Sequence, residues 1–551
     1  MLFGLRSVAV VAAVTSACSH PPAGTLRFKV EPAVWRVADS TPFKKVPEER
    51  VYNRTLYQTD GFFVRRLTRA MDFPSTGRAL DINALDEVPD STWFTNRIGL
   101  RDVSIDEIRR GANIDPNPVN NLPWTIVGAK VGGLSVGFKF EDSKGDKYLL
   151  KFDADTRPEM ETAAHIIGHR LLWACGYNVP EDYLAFVKRE DILISPKAQT
   201  KDTLGKKSPL TAANIDLVLK KMFQTPDGKY RVLVSRFLPG KPIGPFSREG
   251  VREDDPNDRI AHERRRTVRG EVPMFQWINH TDIQEDNTLD VFKDGHVIHY
   301  LIDFGKAFGV MNNSNSWRTV GYTYRLDFGI ALRSILTLGL YDRPWDHLSS
   351  PPYPGVAMFE AEHFDPSEWR INSPYWPFDD VDRFDGYWGA KITMRFTPDQ
   401  IAAAVDEAHY SDARAASYMV STLVERQRRV GKYWFGLVSP LDNFVVEAAG
   451  DRSRLCFDDL ARSYQLDLSS TKYTVEIFDD AGKVLEPRAT LATPASGTRT
   501  CTAPFALGAG ANHYTIVKLA ASRNARALPA VLVHLAQVPG GGFDVIGIRR
   551  L

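Results

Sequence analysis

The sequence predicts an α+β protein in which a β-rich segment, a helical segment and an all-β segment follow one another. Apolar residues alternate along short runs between residues 116 and 240, and they keep a helical period over most of 241–436. Short apolar runs separated by turn residues then return over 437–551. A chain of 551 residues is long enough for about two to four domains.

The composition excludes several classes of protein. Hydrophobic residues make up 43% of the chain and charged residues 25%, as in soluble globular proteins, which excludes a disordered, collagen-like or polytopic membrane chain. Lysine and arginine number 69 against 68 acidic residues, so no overall charge favours nucleic acid as a partner. Four cysteines are too few for a disulfide-built scaffold.

The N-terminus predicts export. Arg6 precedes an apolar run over residues 8–14, and small residues lead from there to Cys18. The run is too short to span a bilayer and is typical of a signal peptide over residues 1–17. Its small–small–Cys ending resembles the bacterial lipoprotein signal, which implies a lipid on Cys18 and a place in the cell envelope. Ser19 favours the outer membrane; ordinary secretion and a coincidental apolar start are the alternatives.

Residues 18–115 are interpreted as a tether and an N-terminal extension, and residues 116–240 as a small β-rich lobe. Three strands, one helix ending at Gly176 and two further strands are expected in this lobe. The strands are predicted at Trp124–Val131, Phe138–Phe140, Lys147–Phe152, Tyr183–Val187 and Arg231–Phe237, and the helix at Glu159–Cys175.

Residues 241–436 are predicted to be mainly helical. We expect one long helix over Asp258–Ile278, kinked at Pro273, and an irregular stretch over 341–395. The arginines of this predicted long helix, Arg264–Arg266 and Arg269, form either a solvated face or a cradle for an anionic substrate. Further helices are predicted at Leu326–Leu338, Thr397–Ala408 and Asp412–Arg429.

Residues 437–551 predict an all-β sandwich of short strands. Cys456 and Cys501 both lie in this segment. In an oxidising compartment they either form a disulfide or remain two buried thiols.

One stretch of the helical segment concentrates chemistry-bearing residues. Asp282 follows a helix, Asn287 comes five residues later, and a hairpin around Asp294-Gly295 returns the chain to Asp303. Two carboxylates and an amide are thereby expected at one edge of a small sheet. Magnesium prefers such oxygen ligands, and phosphoryl transfer needs a further group to orient the attacking hydroxyl.

This stretch resembles the catalytic and metal-binding loops of protein kinases. His280-Thr281-Asp282 stands where that family has His-Arg-Asp, and Asp303-Phe304-Gly305 matches its Asp-Phe-Gly triplet. The resemblance implies a two-lobed fold, a hydroxyl-orienting role for Asp282, and Mg²⁺ or Mn²⁺ ligands at Asn287 and Asp303. It also implies a nucleoside triphosphate, in the first place ATP. Thr281 and Gln284 depart from the usual residues, which is closer to HipA-like and small-molecule kinases.

The β-rich lobe supplies the matching upstream residues. Lys151 ends a strand where kinases carry the catalytic, phosphate-pairing lysine, and Glu161 is the expected partner acid on the following helix, unless His165 takes the inward position. Gly132, Gly133 and Gly137 lie between two strands, where their backbone would cover phosphates or form a tight hairpin. A second triplet, Asp327-Phe328-Gly329, follows no hairpin and is interpreted as a helix start.

Motifs and export signal together leave several functions open. The first is an exported kinase-like phosphotransferase or nucleotidyl transferase acting on an unidentified acceptor. The alternative is a catalytically inactive kinase-fold lipoprotein that binds an envelope partner or has a structural role. A kinase needs a nucleotide that is scarce in a bacterial periplasm, so a cytosolic enzyme with a coincidental apolar start is a further alternative.

Overall fold

The computed structural model describes residues 38–71, 77–130, 137–201, 206–311, 318–494 and 497–551. It is a mixed α+β structure with several sheets, which confirms the predicted class. The described residues divide into two compact units: a larger one from residue 38 to Ile82 and over Glu87–Phe435, and a smaller one of Asn83–Asp86 and Gly436–Leu551. Among the described helices, none is long and apolar enough to cross a membrane.

The larger unit contains ten strands and twelve helices in the part of the chain that is described. The strands are β1 Trp124–Ala129, β2 Gly137–Glu141, β3 Lys147–Phe152, β4 Asp182–Val187, β5 Ile192–Lys201, β6 Lys207–Pro209, β7 Tyr230–Arg236, β8 Lys241–Pro242, β9 Thr288–Lys293 and β10 His296–Leu301. The helices are α1 Arg54–Thr59, α2 Arg65–Met71, α3 Ile105–Arg110, α4 Met160–Cys175, α5 Ala212–Leu219, α6 Arg266–Arg269, α7 Glu271–Trp277, α8 Phe328–Leu336, α9 Trp376–Asp379, α10 Arg383–Met394, α11 Pro398–Asp406 and α12 Ala413–Phe435.

Short turns of other helix types connect these elements. A π-helical segment, Asp60–Val64, joins α1 to α2 without a break. Short 3₁₀ turns lie at Pro118–Asn121, Arg189–Asp191, His262–Arg264, Glu285–Asn287 and Pro344–His347.

The first seven strands form one sheet in the order β4-β7-β3-β2-β1-β5-β6. Neighbours are antiparallel except β1 and β5, which run parallel. Aliphatic and aromatic side chains fill its core, with Trp124, Phe140 and Tyr148 stacked in succession. The predicted strands of this region and the predicted helix, α4, are confirmed, whereas β5, β6 and α5 were not expected.

The stretch Asp258–Ile278 is not the single helix that its sequence predicts. Arg265 is extended (φ −93°, ψ 130°) between a 3₁₀ turn and α6, because its guanidinium and His262 both bind the buried Asp258 carboxylate. Arg266 and Arg269 are also buried and contact Asp385. These arginines are therefore internal ion-pair partners, and they form neither a solvated face nor a substrate cradle.

The stretch 341–395, expected to be irregular, contains the buried helix α10. Asp382 caps its N-terminus by accepting hydrogen bonds from the backbone N–H groups of Phe384 and Asp385. Gly386 and Gly389 give a sequence that is unfavourable for a helix. A Cβ at either position would overlap α12 or the loop before α7, so close packing explains these glycines.

The smaller unit contains two sheets. One has the strands β11 Leu441–Ala449, β12 Arg452–Asp459 and β15 Arg499–Cys501, and the other β13 Thr471–Asp479, β14 Val484–Ala492, β16 Thr515–Arg523, β17 Arg526–Ala527, β18 Val531–Gln537 and β19 Phe543–Arg550. A short helix, α13 Leu460–Ser463, and a 3₁₀ turn, Ala511–His513, complete it. Both sheets contribute to one buried cluster, with Phe457 from the first and Tyr473 from the second in ring contact. Cys456 lies opposite Cys501 in the ladder, and the two form a disulfide.

Candidate active site

The β9–β10 hairpin brings the ends of the chemistry-bearing stretch together. Its turn residues Asp294 and Gly295 both have positive φ (51° and 82°), the backbone that a two-residue Asp-Gly turn favours. At the open end, the Ile302 N–H donates to the carbonyl oxygen of Asn287 at 3.0 Å. Asn287 and Asp303 therefore lie side by side, as the sequence predicts.

Asp282 is held by two amide side chains. The Asn287 Nδ2 donates to its backbone oxygen at 2.5 Å and to its Oδ2 at 3.3 Å, and the Gln284 Nε2 donates to its Oδ1 at 3.2 Å. Burial raises the pKa of the Asp282 carboxyl, and the nearby Asp303 carboxylate raises it further, while Arg325 and Lys306 act against this. A carboxylate with a raised pKa is a better proton acceptor.

The three predicted site residues are accessible to solvent. Asp282, Asn287 and Asp303 are all partly exposed. Their neighbours Thr281 and Phe304 are buried. The oxygen atoms of the three site side chains can therefore be reached by a ligand from solvent.

Lys151 and Asp303 form an ion pair. The Lys151 Nζ lies 2.7 Å from the Asp303 Oδ1, and the exposed fractions of the two side chains are 6% and 34%. Burial alone would raise the pKa of Asp303, but the Lys151 charge overrides it and holds the pKa of this carboxyl below its usual range. Asp303 also has a left-handed backbone (φ 63°), a strained conformation that clusters at functional sites.

Glu161 does fall at the site, and its ion pair is with Lys306, whose Nζ lies 2.9 Å from the Glu161 Oε2. The Glu161 charge also acts on Lys151: burial alone would lower the pKa of Lys151, but Asp303 and Glu161 raise it. Gly305 leaves room for this arrangement, since a Cβ there would lie 2.8 Å from the Glu161 Cγ. Lys306 was not singled out from the sequence, and its only signal is its place directly after the triplet.

Phe304 anchors the triplet against α4. Its ring lies 5.3 Å from the ring of His165 and 6.2 Å from that of His280, centroid to centroid. The His165 ring therefore packs against the triplet, and its Nε2 is occupied by the Asp182 Oδ2 at 2.7 Å. Burial lowers the pKa of His280 to about 4, which keeps its imidazole neutral near pH 7.

Lys130 is a third cation at the site that the sequence did not indicate. Burial lowers its pKa, and the charge of Lys151 lowers it further. Its backbone N–H donates to the Gly137 carbonyl oxygen at 2.9 Å. Gly137 itself lies opposite Lys151 in the β2–β3 ladder, where a Cβ would overlap the backbone of β3. Gly132 and Gly133 lie outside the described residues.

The donor set suits a divalent cation together with phosphate. The Oδ2 of Asp303 and the Oδ1 of Asn287 accept no hydrogen bond from the described residues. Hard oxygen atoms of this kind are the ligands that Mg²⁺ and Mn²⁺ take from proteins, with phosphate oxygens completing the shell. Within the described ranges, the one compact group of three acid, histidine or cysteine side chains is Glu447 with Cys456 and Cys501, whose sulfurs form the disulfide.

Comparisons with known proteins add little to this geometry. No family model matches the chain, and no curated protein matches it. Two similar solved structures are the crystal structure of the Golgi casein kinase (12% identity, 74% of this chain and 95% of that chain covered, TM-score 0.29) and the Golgi casein kinase with Mn/ADP bound (13%, 75% and 94%, TM-score 0.27). A likeness at these TM-scores does not establish a role for this chain.

Proposed function

We propose that this chain is an atypical kinase-like phosphotransferase, or a nucleotidyl transferase using the same donor site. The observation that carries the proposal is the juxtaposition of two pairs at the end of the β9–β10 hairpin. The Lys151–Asp303 ion pair supplies a cation and a metal-binding carboxylate. The Asp282–Asn287 pair supplies a partly exposed base and a second oxygen ligand. Phosphoryl transfer needs these four functions in one place.

In this proposal, Asp282 orients the acceptor. Its carboxylate accepts the proton of the acceptor hydroxyl as that oxygen bonds to the terminal phosphorus of the nucleotide. The bond from that phosphorus to the bridging oxygen breaks, and a nucleoside diphosphate leaves with the electron pair. Asn287 and Asp303 would hold Mg²⁺ or Mn²⁺, which neutralises phosphate charge. Lys151 holds the phosphates with Lys130 and Lys306 close by.

We also propose the finer architecture that the sequence predicts. Residues 116–240 form the small lobe around the seven-stranded sheet, and 241–436 form the helical lobe. Residues 437–551 form a β-sandwich, supported by the core that both sheets of the smaller unit share. The nucleotide lies between the two lobes, with Gly137 at the edge where β2 faces Lys151.

We propose that the protein is a lipoprotein of the bacterial cell envelope, attached to the outer membrane through Cys18. The signal-like residues 1–17 support this, although they and Cys18 lie outside the described residues. The disulfide between Cys456 and Cys501 is a second, independent support, because disulfides persist in oxidising compartments. The acceptor is an unidentified molecule or protein of the envelope.

The test is nucleotide-dependent stabilisation of the full chain. Thermal unfolding is measured with ATP, GTP and ADP, each with and without Mg²⁺ or Mn²⁺. A ligand at about 100 times its Kd adds about 2.7 kcal/mol of stability. Asp303→Asn should remove the metal-dependent shift, whereas the matched control Asp327→Asn, in the second triplet, should keep it. Asp282→Asn should keep nucleotide binding and lose transfer to any acceptor identified.

Absence of a shift with every nucleotide would contradict the enzyme proposal. The inactive, partner-binding lipoprotein would then be the better account. A shift that persists without metal and in Asp303→Asn would place the nucleotide elsewhere on the chain, which would also contradict the proposed site.

A further inference from the structure

The apolar stripe of helix α8 faces solvent instead of the protein core. The exposed residues Phe328, Leu332, Ile335 and Leu336 follow the spacing i, i+4, i+7, i+8, and the helix has no buried residue. Ile330, on the opposite side, packs against the buried cluster of Trp345, Leu348 and Met358. A stripe of this kind normally faces the core, whereas this one faces away from it.

The helical segment 54–71 also exposes apolar side chains. Tyr57 and Phe62 are buried, whereas five other apolar residues of the segment are exposed. The outward residues are Leu56, Phe63, Val64, Leu67 and Met71. Two helical segments distant in sequence thus present apolar side chains to the outside.

The two stripes form one surface. The rings of Phe63 and Phe328 lie 6.0 Å apart, and the Arg66 guanidinium lies 4.7 Å above the Tyr324 ring. Leu338 and Leu340, which are 92% and 86% exposed, extend the stripe beyond α8. We call these leucines and the outward residues of 54–71 and α8 the outer apolar surface. Monomeric soluble proteins rarely expose apolar residues in such a continuous group.

Basic residues surround the outer apolar surface. Residues 54–71 and 325–343 contain seven arginines and three aspartates, and three of these arginines pair with acids outside the two ranges, namely Glu249, Asp380 and Asp346. Arg54, Arg66, Arg325 and Arg333 form no ion pair with a carboxylate in the described ranges. Apolar side chains bordered by free cations are the chemistry with which peripheral helices bind anionic lipid.

We propose that the outer apolar surface lies against an anionic lipid bilayer. Its apolar side chains enter the headgroup–acyl boundary, and the free arginines contact lipid phosphates. The proposal is strengthened by the proposed lipidation of Cys18, since Ala38 comes 20 positions after Cys18 and can lie at most about 70 Å from it. The chain therefore enters the unit that carries this surface while tethered to the same membrane.

The position of the surface gives it a consequence for the candidate active site. Arg325 lies two residues before the Asp327 cap of α8, and its backbone N–H donates to the Asn372 carbonyl oxygen at 2.9 Å. The Asn372 N–H in turn donates at 2.9 Å to the carbonyl oxygen of Thr281, the residue before Asp282. The bilayer would thus border the end of the site at which Asp282 handles the acceptor. Lipid binding itself does not require that the site be active.

The test measures sedimentation of the full chain with vesicles, using Cys18→Ser to remove the lipid. Vesicles of phosphatidylglycerol are compared with vesicles of phosphatidylcholine. Ile335→Asp/Leu336→Asp is compared with Leu193→Asp/Leu217→Asp, which alters two exposed leucines outside the surface. All proteins share the same N-terminus, and circular dichroism melts establish that each variant is folded.

The expected result is binding to the phosphatidylglycerol vesicles that falls at least tenfold in the Ile335→Asp/Leu336→Asp variant and is unchanged in the control. No binding, or equal binding by both variants, would overturn the proposal. A dimer that only the surface variant dissociates would assign the surface to a second copy. Slow hydrogen exchange over 328–340 without vesicles would assign it to residues 1–37. Asp303→Asn should still bind vesicles, which separates this outcome from failure of the proposed enzyme activity.

Discussion

The same three residues, Asp-Phe-Gly, occur twice in the larger unit and have different structural roles. At Asp303-Phe304-Gly305 the phenylalanine is 1% exposed and the aspartate forms an ion pair with the buried Lys151. At Asp327-Phe328-Gly329 the phenylalanine is 52% exposed and the aspartate accepts a hydrogen bond from the Ile330 N–H as a helix cap. The structural role of the triplet is therefore determined by the elements that precede it. The first copy follows a hairpin that returns it to Asn287, and the second opens a surface helix.

The largest predicted difference between the copies concerns their phenylalanines. Phe304→Ala removes a ring packed against His165 and His280 and should lower the free energy of unfolding of the larger unit by about 3–5 kcal/mol. Phe328→Ala removes an exposed ring and should change it by less than about 1 kcal/mol. Urea unfolding followed by tryptophan fluorescence measures both. Equal losses would show that the two triplets are packed alike.

The aspartates should differ next. Asp303→Asn leaves the Lys151 ammonium buried without its partner, which we expect to cost about 3 kcal/mol, at the low end for a buried pair because Asp303 is partly exposed. Asp327→Asn should be nearly neutral, since asparagine caps helices as well as aspartate does. The double variant Lys151→Met/Asp303→Asn is the control. It should recover most of the loss, and failure to do so would assign the loss to something other than the ion pair.

A smaller effect is expected from removing the cap altogether. Asp327→Ala leaves the Ile330 N–H without its acceptor and should destabilise α8 by about 1 kcal/mol. Hydrogen exchange should become faster over Phe328–Leu336 and stay unchanged over β9 and β10. Faster exchange over the hairpin as well would mean that the two copies are coupled.

The smallest expected difference is between the unmodified chain and Asp303→Asn, in how the free energy of unfolding depends on pH. The pKa of Asp303 is lower in the folded protein than the usual value of about 3.9, so its stabilising contribution is complete above that value. The contribution is lost as the pH falls below it, because the folded state must then take up a proton that it binds weakly. The unmodified chain should therefore lose more stability between pH 5 and pH 3 than Asp303→Asn does. Parallel losses in the two proteins would contradict the ion pair.

Local patterns were sufficient to predict much of the site. The Asp294-Gly295 turn determines the register of the β9–β10 hairpin, and this register places Asn287 next to Asp303. The five-residue spacing from Asp282 to Asn287 then brings Asp282 to the same place. The role of Asp327 was predicted in the same way, because a helix start is a local event. Lys151 was placed by the resemblance to protein kinases, which have a lysine at the end of the corresponding strand, and not by a local pattern alone.

Local patterns did not predict contacts between distant residues, and only the resemblance to kinases placed Lys151 and Asp303 in one site. Lys306 and Glu161 are 145 residues apart, and nothing in the sequence near either one indicates that they pair. The stretch 341–395 was expected to be irregular because it is rich in Pro, Asp, Trp and Tyr, and the buried helix α10 depends on contacts with other elements, against which Gly386 and Gly389 pack closely. Arg265 leaves the predicted helix because its guanidinium binds the buried Asp258 carboxylate in the preceding turn. The charge pattern of the sequence alone is equally typical of a solvated helix face.

The Cys456–Cys501 disulfide restricts how the protein can be produced. The bond staples the short strand β15 to β12 and closes a loop with a sequence separation of 45 residues. Glutathione and thioredoxin keep such thiols reduced in an ordinary cytoplasm. Recombinant material made there would carry two free thiols in place of one bond, and its smaller unit would lack the cross-link. Oxidative folding during preparation is therefore a condition for every measurement described above.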